Sequence, residues 1–136
     1  MGLSLIFVDT SFWIALKQRK DNNHEAALTL SRTHSDALLA TSNLVLGEAW
    51  TLLRRRDGHR QAMDWLNRLR ASAGVRLQRI APDLEDEAWA WLALHDERSY
   101  SFVDATSFAL MRRRRITDSL AFDGDFAAAG FVELRP

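Results

Sequence analysis

The sequence predicts an α/β protein, a sandwich of helices around a mainly parallel sheet. Three observations carry that expectation. The apolar run "LIFV" at 5–8 shows no polar alternation, as a strand covered on both faces requires. Runs of this kind alternate along the chain with stretches of helical periodicity, the pattern of repeated βα units. The 136 residues, 47% of them hydrophobic, are enough for one real core and too few for two, which makes residues 1–136 a single domain.

Taken in order, "LIFV" passes almost without a loop into "TSFWIALKQRKD", whose first hydroxyl residues suit a helix cap. A second helix is expected from "NNHEAALTL", where Asn22 and Glu25 have capping-box spacing. "ALLA" at 37–40 is a short buried strand, followed by the helix "TSNLVLGEAWTLLRRR". "HRQAMDWLNRLRAS" reads as a further helix closed by Gly74, and "VRLQRIA" alternates like a strand. Pro82 and Asp83 open the helix "DLEDEAWAWLALHD", and Ser101 opens "FVDATSFALMRRRR". "SLAF" and "FVELR" supply the last strands. Linkers, low-complexity tracts and internal repeats are absent.

Composition removes several chemistries. A chain with 0 cysteines has no disulfide, thiolate zinc site or cysteine nucleophile, and fits a reducing cytoplasm. The 4 histidines, His24, His34, His59 and His95, lack metal-ligand spacing. The apolar run at the N-terminus stops at Asp9, too short and wrongly flanked for a signal peptide, and no transmembrane span follows. With 18 basic and 18 acidic side chains the formal charge is zero, so bulk electrostatics do not announce a nucleic-acid binder. The basic residues are nevertheless uneven: "LRRRD" at 53–57 and "MRRRR" at 111–115 hold seven arginines between them.

Four acids stand where acids are unusual. Asp9 and Asp123 each end an apolar run, at the carboxyl edge of a parallel sheet, where ligands bind. Each alone also fits a strand-end or helix-cap role. Glu48 lies at the margin of the apolar arc of Val45, Ala49, Leu52 and Leu53, where a salt bridge to an arginine is the plain alternative. Asp104 falls on the arc of Val103, Ser107, Phe108, Leu110 and Met111, three residues after Ser101, where it could simply serve the helix N-terminus. Four converging carboxylates would repel one another, and burial would add to the conflict. A hard divalent cation, Mg²⁺ or Mn²⁺, removes it, since both prefer oxygen ligands. The chemistry that follows is phosphodiester hydrolysis.

With these residues in place the chain resembles a PIN domain, of the small bacterial and archaeal type to which the VapC toxins belong. The resemblance rests on "FVDTSFWIAL" with Asp9, "TSNLVLGEAWTLL" with Glu48, "SFVDATSFALMRR" with Asp104 and "LAFDGDFAAAGF" with Asp123. It covers both ends and the first third of the chain, whereas residues 57–98 carry little family signature. It implies a three-layer α/β/α sandwich and a metal-dependent endoribonuclease acting on RNA. It also implies a homodimer and, in the toxin branch, a small antitoxin partner. Asp9, Glu48, Asp104 and Asp123 match the family's catalytic, metal-binding quartet. Thr10 and Ser11 match the hydroxyl pair beside the first acid, with Ser11 placed to hold a water at the ion. Asp125 stands at the rim of the site or caps the turn in "DGDF", and it is kept with Asp96 outside the catalytic set. Arg112, Arg113, Arg114 and Arg115 either contact RNA or form a solvated helix end. Trp89, off the apolar arc of Leu84, Ala88, Trp91 and His95, is expected exposed, covered by another chain or packed beneath the basic helix. Two alternatives stand beside the toxin reading: a processing nuclease without an antitoxin, and a non-catalytic RNA- or partner-binding scaffold. The intact quartet argues against the scaffold, because clustered negative charge would only repel a polyanion.

Overall fold

The computed structural model describes residues 5–136. Strand β1 (Leu5–Val8) leads into helices α1 (Thr10–Lys17) and α2 (His24–Thr33), and β2 (Leu38–Ser42) into α3 (Asn43–Asp57) and α4 (His59–Ala71). Strand β3 (Val75–Gln78) is followed by α5 (Pro82–Leu94) and α6 (Phe102–Arg114), then β4 (Asp118–Leu120), α7 (Asp125–Ala128) and β5 (Val132–Glu133).

All pairings are parallel, in the order β3-β2-β1-β4-β5. The chain therefore builds outward from β1 in one direction, then returns to add β4 and β5 on the other side. Because parallel crossovers are right-handed, the helices of the two directions fall on opposite faces. Helix α1 packs on α2 and α3, and α3 on α4, while α5 packs on α6 and α6 on α7. The result is the expected three-layer α/β/α sandwich. The neighbours β1 and β4 flank the point where the direction reverses, which opens a crevice at their carboxyl ends. The two helical groups touch there, where α3 meets α6.

Burial explains the apolar runs. Phe7 and Val8 of β1 are wholly buried, and so are Phe108 of α6 and Phe126 of α7. Phe108 packs edge-on against Phe126 at 4.9 Å between ring centroids and stacks on Phe131 at 5.6 Å. Trp91 turns inward against Tyr100 and Phe108, whereas Trp89 is 56% exposed and stacks on Phe102 at 4.2 Å. Trp89 thus lies on the surface, not beneath the basic helix.

Three local expectations are corrected. The Asn22/Glu25 capping box does not form. Helix α2 starts at His24 with Asn23 as an N-cap that makes no side-chain bond, and the Asp21 carboxylate takes the Asn23 N–H instead. Strand β2 runs beyond Ala40 to Ser42, whose hydroxyl then caps α3 by accepting the Val45 N–H at 3.0 Å. Gly74 does not close α4, which ends at Ser72. The glycine that breaks this helical region is Gly58, at φ +92°, between α3 and α4.

Candidate active site

Asp9 is the N-cap of α1 and only 3% exposed. Its Oδ2 accepts the Ser11 N–H at 3.1 Å and the Ser11 hydroxyl at 2.7 Å. The same hydroxyl accepts the Phe122 N–H at 3.1 Å, and the Asp9 N–H donates to the Leu120 carbonyl at 3.0 Å. Ser11 therefore clamps the corner after β1 to the corner after β4, bringing Asp9 and Asp123 into one neighbourhood. The serine braces the acid through both its N–H and its hydroxyl.

Asp104 occupies the third position of α6 and is 8% exposed. Ser101 and Asp104 form a reciprocal capping box: the Asp104 N–H donates to the Ser101 hydroxyl at 3.0 Å, and Asp104 Oδ2 accepts the Ser101 N–H at 2.9 Å. Serving the helix N-terminus and facing the site are thus not alternatives here, since the box fixes the rotamer that presents the carboxylate. Replacing Ser101 with Ala is expected to lower the unfolding free energy by about 1 kcal/mol, the usual cost of losing an N-cap, as read from urea melts.

After β4 the chain turns through Gly124 at φ +82°, a conformation suited to glycine. The Asp125 N–H donates to Asp123 Oδ1 at 3.1 Å, so Asp123 is the residue that caps this turn. Asp104, Asp123 and Asp125 each offer a carboxylate oxygen, and these oxygens lie within 4.8 Å of one another, close enough to share one cation. Asp125 also accepts from Arg98 Nε at 2.9 Å, while Arg98 Nη2 reaches the Asp123 carbonyl at 3.3 Å. Asp125 thus stands beside Asp104 and Asp123 at the rim of the site, tied to a cation.

Asp9, Glu48, Asp104 and Asp123 all line one cleft of about 410 Å³. Glu48 enters from α3, half-buried and without an ion pair among the described residues, so the salt-bridge alternative is not realised. Burial, then the charge of Asp123, pushes the Asp9 carboxyl up to about 7 against the pull of its Ser11 hydrogen bonds, with Asp104 adding a little. Burial likewise raises Asp104 to about 6; the Ser101 N–H opposes it, and Asp123 and Asp125 add to it. Asp123 is raised too, first by desolvation and then, against its bond from Asp125, by the charges of Asp125 and Glu133. Such a cluster is short of positive charge. The lining offers oxygen donors and no histidine, and the buried Thr10 hydroxyl on its wall has no partner among the described residues. This donor set fits a hard divalent cation.

Asp96 is exposed and lines none of this cleft. Arg112, Arg113, Arg114 and Arg115 lie at the far end of α6 from Asp104, on the order of 12–15 Å along the axis. Two of the four are engaged inside the chain. Arg113 pairs with Asp83 at 2.5 Å and with Glu87 at 3.8 Å, and Arg114 donates to the Gln78 side chain. The cation that does line the cleft is Arg56. The sequence marked Arg56 only as part of a basic stretch. Arg98 carried no signal, because its partner Asp125 is 27 residues away in the chain.

A parallel sheet whose reversal point carries this acid-walled cleft defines the PIN domain class, and the PIN domain family profile matches residues 6–132. The chain belongs to that family. It is 55% identical over 132 residues to the 23S rRNA-specific endonuclease VapC20 of Mycobacterium tuberculosis, an alignment covering 97% of this chain and 99% of that protein. The crystal structure of Mycobacterium tuberculosis VapC20, described as a sarcin–ricin loop cleaving toxin, superposes with a TM-score of 0.90 at 56% identity, covering 96% of this chain and 99% of that one. A toxin–antitoxin complex from Klebsiella pneumoniae matches at TM-score 0.62 and 16% identity, over 95% and 96% of the two chains, which is a likeness of fold alone.

Proposed function

We propose that the chain is a metal-dependent endoribonuclease, the toxin of a toxin–antitoxin pair, and that it cleaves 23S rRNA as its mycobacterial relative is named for doing. The observation that carries this reading is the convergence of Asp9, Glu48, Asp104 and Asp123 on one cleft at the reversal point of the sheet. These four would hold Mg²⁺ or Mn²⁺, with Asp125 at the margin. When bound, such an ion polarises a phosphoryl oxygen, lowers the pKa of an attacking water and steadies the leaving oxygen.

The protein's part is to fix the donors beforehand. Ser11 holds the Asp9 carboxylate, the capping box holds that of Asp104, and the Asp125 N–H holds that of Asp123. Pre-set donors need little rearrangement when the substrate arrives. Thr10 adds a buried hydroxyl at the wall, without a partner among the described residues. Arg98 offsets the charge of Asp125, so the outermost acid adds less repulsion toward an incoming phosphate.

The partners follow the same reading: RNA, a small antitoxin and a second copy of this chain. For the homodimer, support comes from the exposed Trp89–Phe102 stack beside the groove of Leu44, Leu52 and Val103. Among the described residues no helix is long and apolar enough to cross a membrane. The test is incubation of the purified protein with 23S rRNA. Discrete cleavage with Mg²⁺ or Mn²⁺ that stops in EDTA is expected, and cleavage undiminished by EDTA would overturn the metal mechanism.

A further inference from the structure

We propose that Lys20 and Arg56 form a phosphate-binding ledge that grips the RNA strand beyond the bond being cleaved, an inference that rests on the nuclease reading of the same cleft. Among the described residues lining that cleft Arg56 is the one cation. It also lines an adjoining polar hollow of about 400 Å³ with Gln18, Lys20, Asp21 and Asn22. The hollow continues the cleft, since Asp21 and Arg56 border both.

Both cations lack an ion-pair partner among the described residues, and the acids beside them in sequence each accept a hydrogen bond from another group. Asp57, beside Arg56 in sequence, takes a hydrogen bond from Gln18, and Asp21 accepts the Asn23 N–H. Arg113 and Arg114 at the end of α6, and Arg98, contrast with this, because each has an intramolecular partner. A polyanion approaching the four carboxylates is repelled on most sides, and the wall that attracts it is the one bearing Arg56. Glu48 and Arg56 share α3 and lie about two turns apart, roughly 12 Å along its axis. Arg56 therefore engages a phosphate other than the one at the acids, and Lys20 extends the track away from the cleft. Such contacts set the strand's position and the side from which it enters, without reading bases.

The experiment measures binding of a fluorescein-labelled hairpin RNA by anisotropy across a KCl series. It uses the Glu48→Gln protein, so that cleavage does not interfere, with and without Lys20→Gln and Arg56→Gln together. The salt dependence, log Kd against log salt, is expected to flatten by about 1.4, at about 0.7 for each lost single-strand phosphate contact. In the cleavage-competent chain the same pair of substitutions is expected to raise KM about tenfold while leaving kcat within about twofold, as loss of uniform binding does. Arg56→Lys is expected to keep most of the salt dependence. Both positions are exposed, and unchanged melting curves are expected for the variants. Identical salt slopes in parent and double variant would overturn the ledge, whatever the activity. A flattened slope beside a parent that cleaves no RNA would uphold the ledge and remove the nuclease reading, so the two failures are distinguishable.

Discussion

Asp104→Asn is expected to abolish divalent-ion-dependent RNA cleavage, by about a hundredfold or more, and to leave the metal-free protein more stable than the parent. Substitutions at residues that merely orient a metal ligand cost 10- to 100-fold, roughly, and loss of the ligand itself should exceed that. The stability argument compares two terms. The amide oxygen of Asn can still accept the Ser101 N–H at the place of Oδ2, so the change at the helix N-terminus is the loss of an anion near the dipole, about 0.3–1 kcal/mol. Against this, a carboxyl raised to about 6 is ionised at pH 7.5 at a cost on the order of 3 kcal/mol, which Asn avoids. The second term wins. Mg²⁺ should then stabilise the variant much less than the parent, because one anionic donor is gone. Melts with and without Mg²⁺, beside a cleavage assay, check this. Lower metal-free stability with retained cleavage would make Asp104 structural only.

The second large effect is a fall in the stability of the metal-free protein as pH rises from about 4 to about 7. Asp9 and Asp104 have folded-state values near 7 and 6 against the ordinary 3.8. Between those limits the native state binds more protons than the unfolded chain, so unfolding free energy decreases with pH. The contribution is fully present below about 4 and gone above about 7. At about 1.4 kcal/mol per unit, Asp9 alone accounts for something on the order of 4 kcal/mol, and its coupling to Asp123 and Asp104 prevents simple addition. The measurement is urea unfolding in EDTA from pH 4.5 to 8 for the parent and for Asp9→Asn, whose amide keeps an acceptor for Ser11. The parent should lose several kcal/mol relative to the variant across this range, and saturating Mg²⁺ at pH 7.5 should restore most of it. Parallel curves would mean that Asp9 does not carry the strain.

The alternation of buried runs and helical stretches made the layers and the parallel sheet legible in the sequence. The acids at the ends of "LIFV" and "SLAF" located the crevice, because a residue that follows a parallel strand has only one edge to occupy. What stayed hidden depended on partners distant in sequence. The basic run at 112–115 looks alike whether it faces RNA or a neighbouring helix; Asp83 and Glu87, presented by α5, engage Arg113 from a packing that no local pattern encodes. Asp125 could be placed only once Arg98 was seen against it. Asn22 and Gly74 show the reverse error: their spacing and type suit caps, but Asp21 takes the Asn23 N–H and α4 ends at Ser72 before Gly74.

The Ser11–Phe122 hydrogen bond joins positions 111 residues apart, and the adjacent strands β1 and β4 bring Asp9 beside Asp123. During synthesis, Asp9 and Glu48 leave the ribosome long before Asp104 and Asp123 exist. A chain synthesised only as far as β3 consequently carries half a set of acids and no cleft, because β4 closes the reversal point. The site is thus assembled from segments far apart in the chain, and truncation before Asp123 is expected to leave a fragment without metal-dependent cleavage, as an assay on 23S rRNA would read.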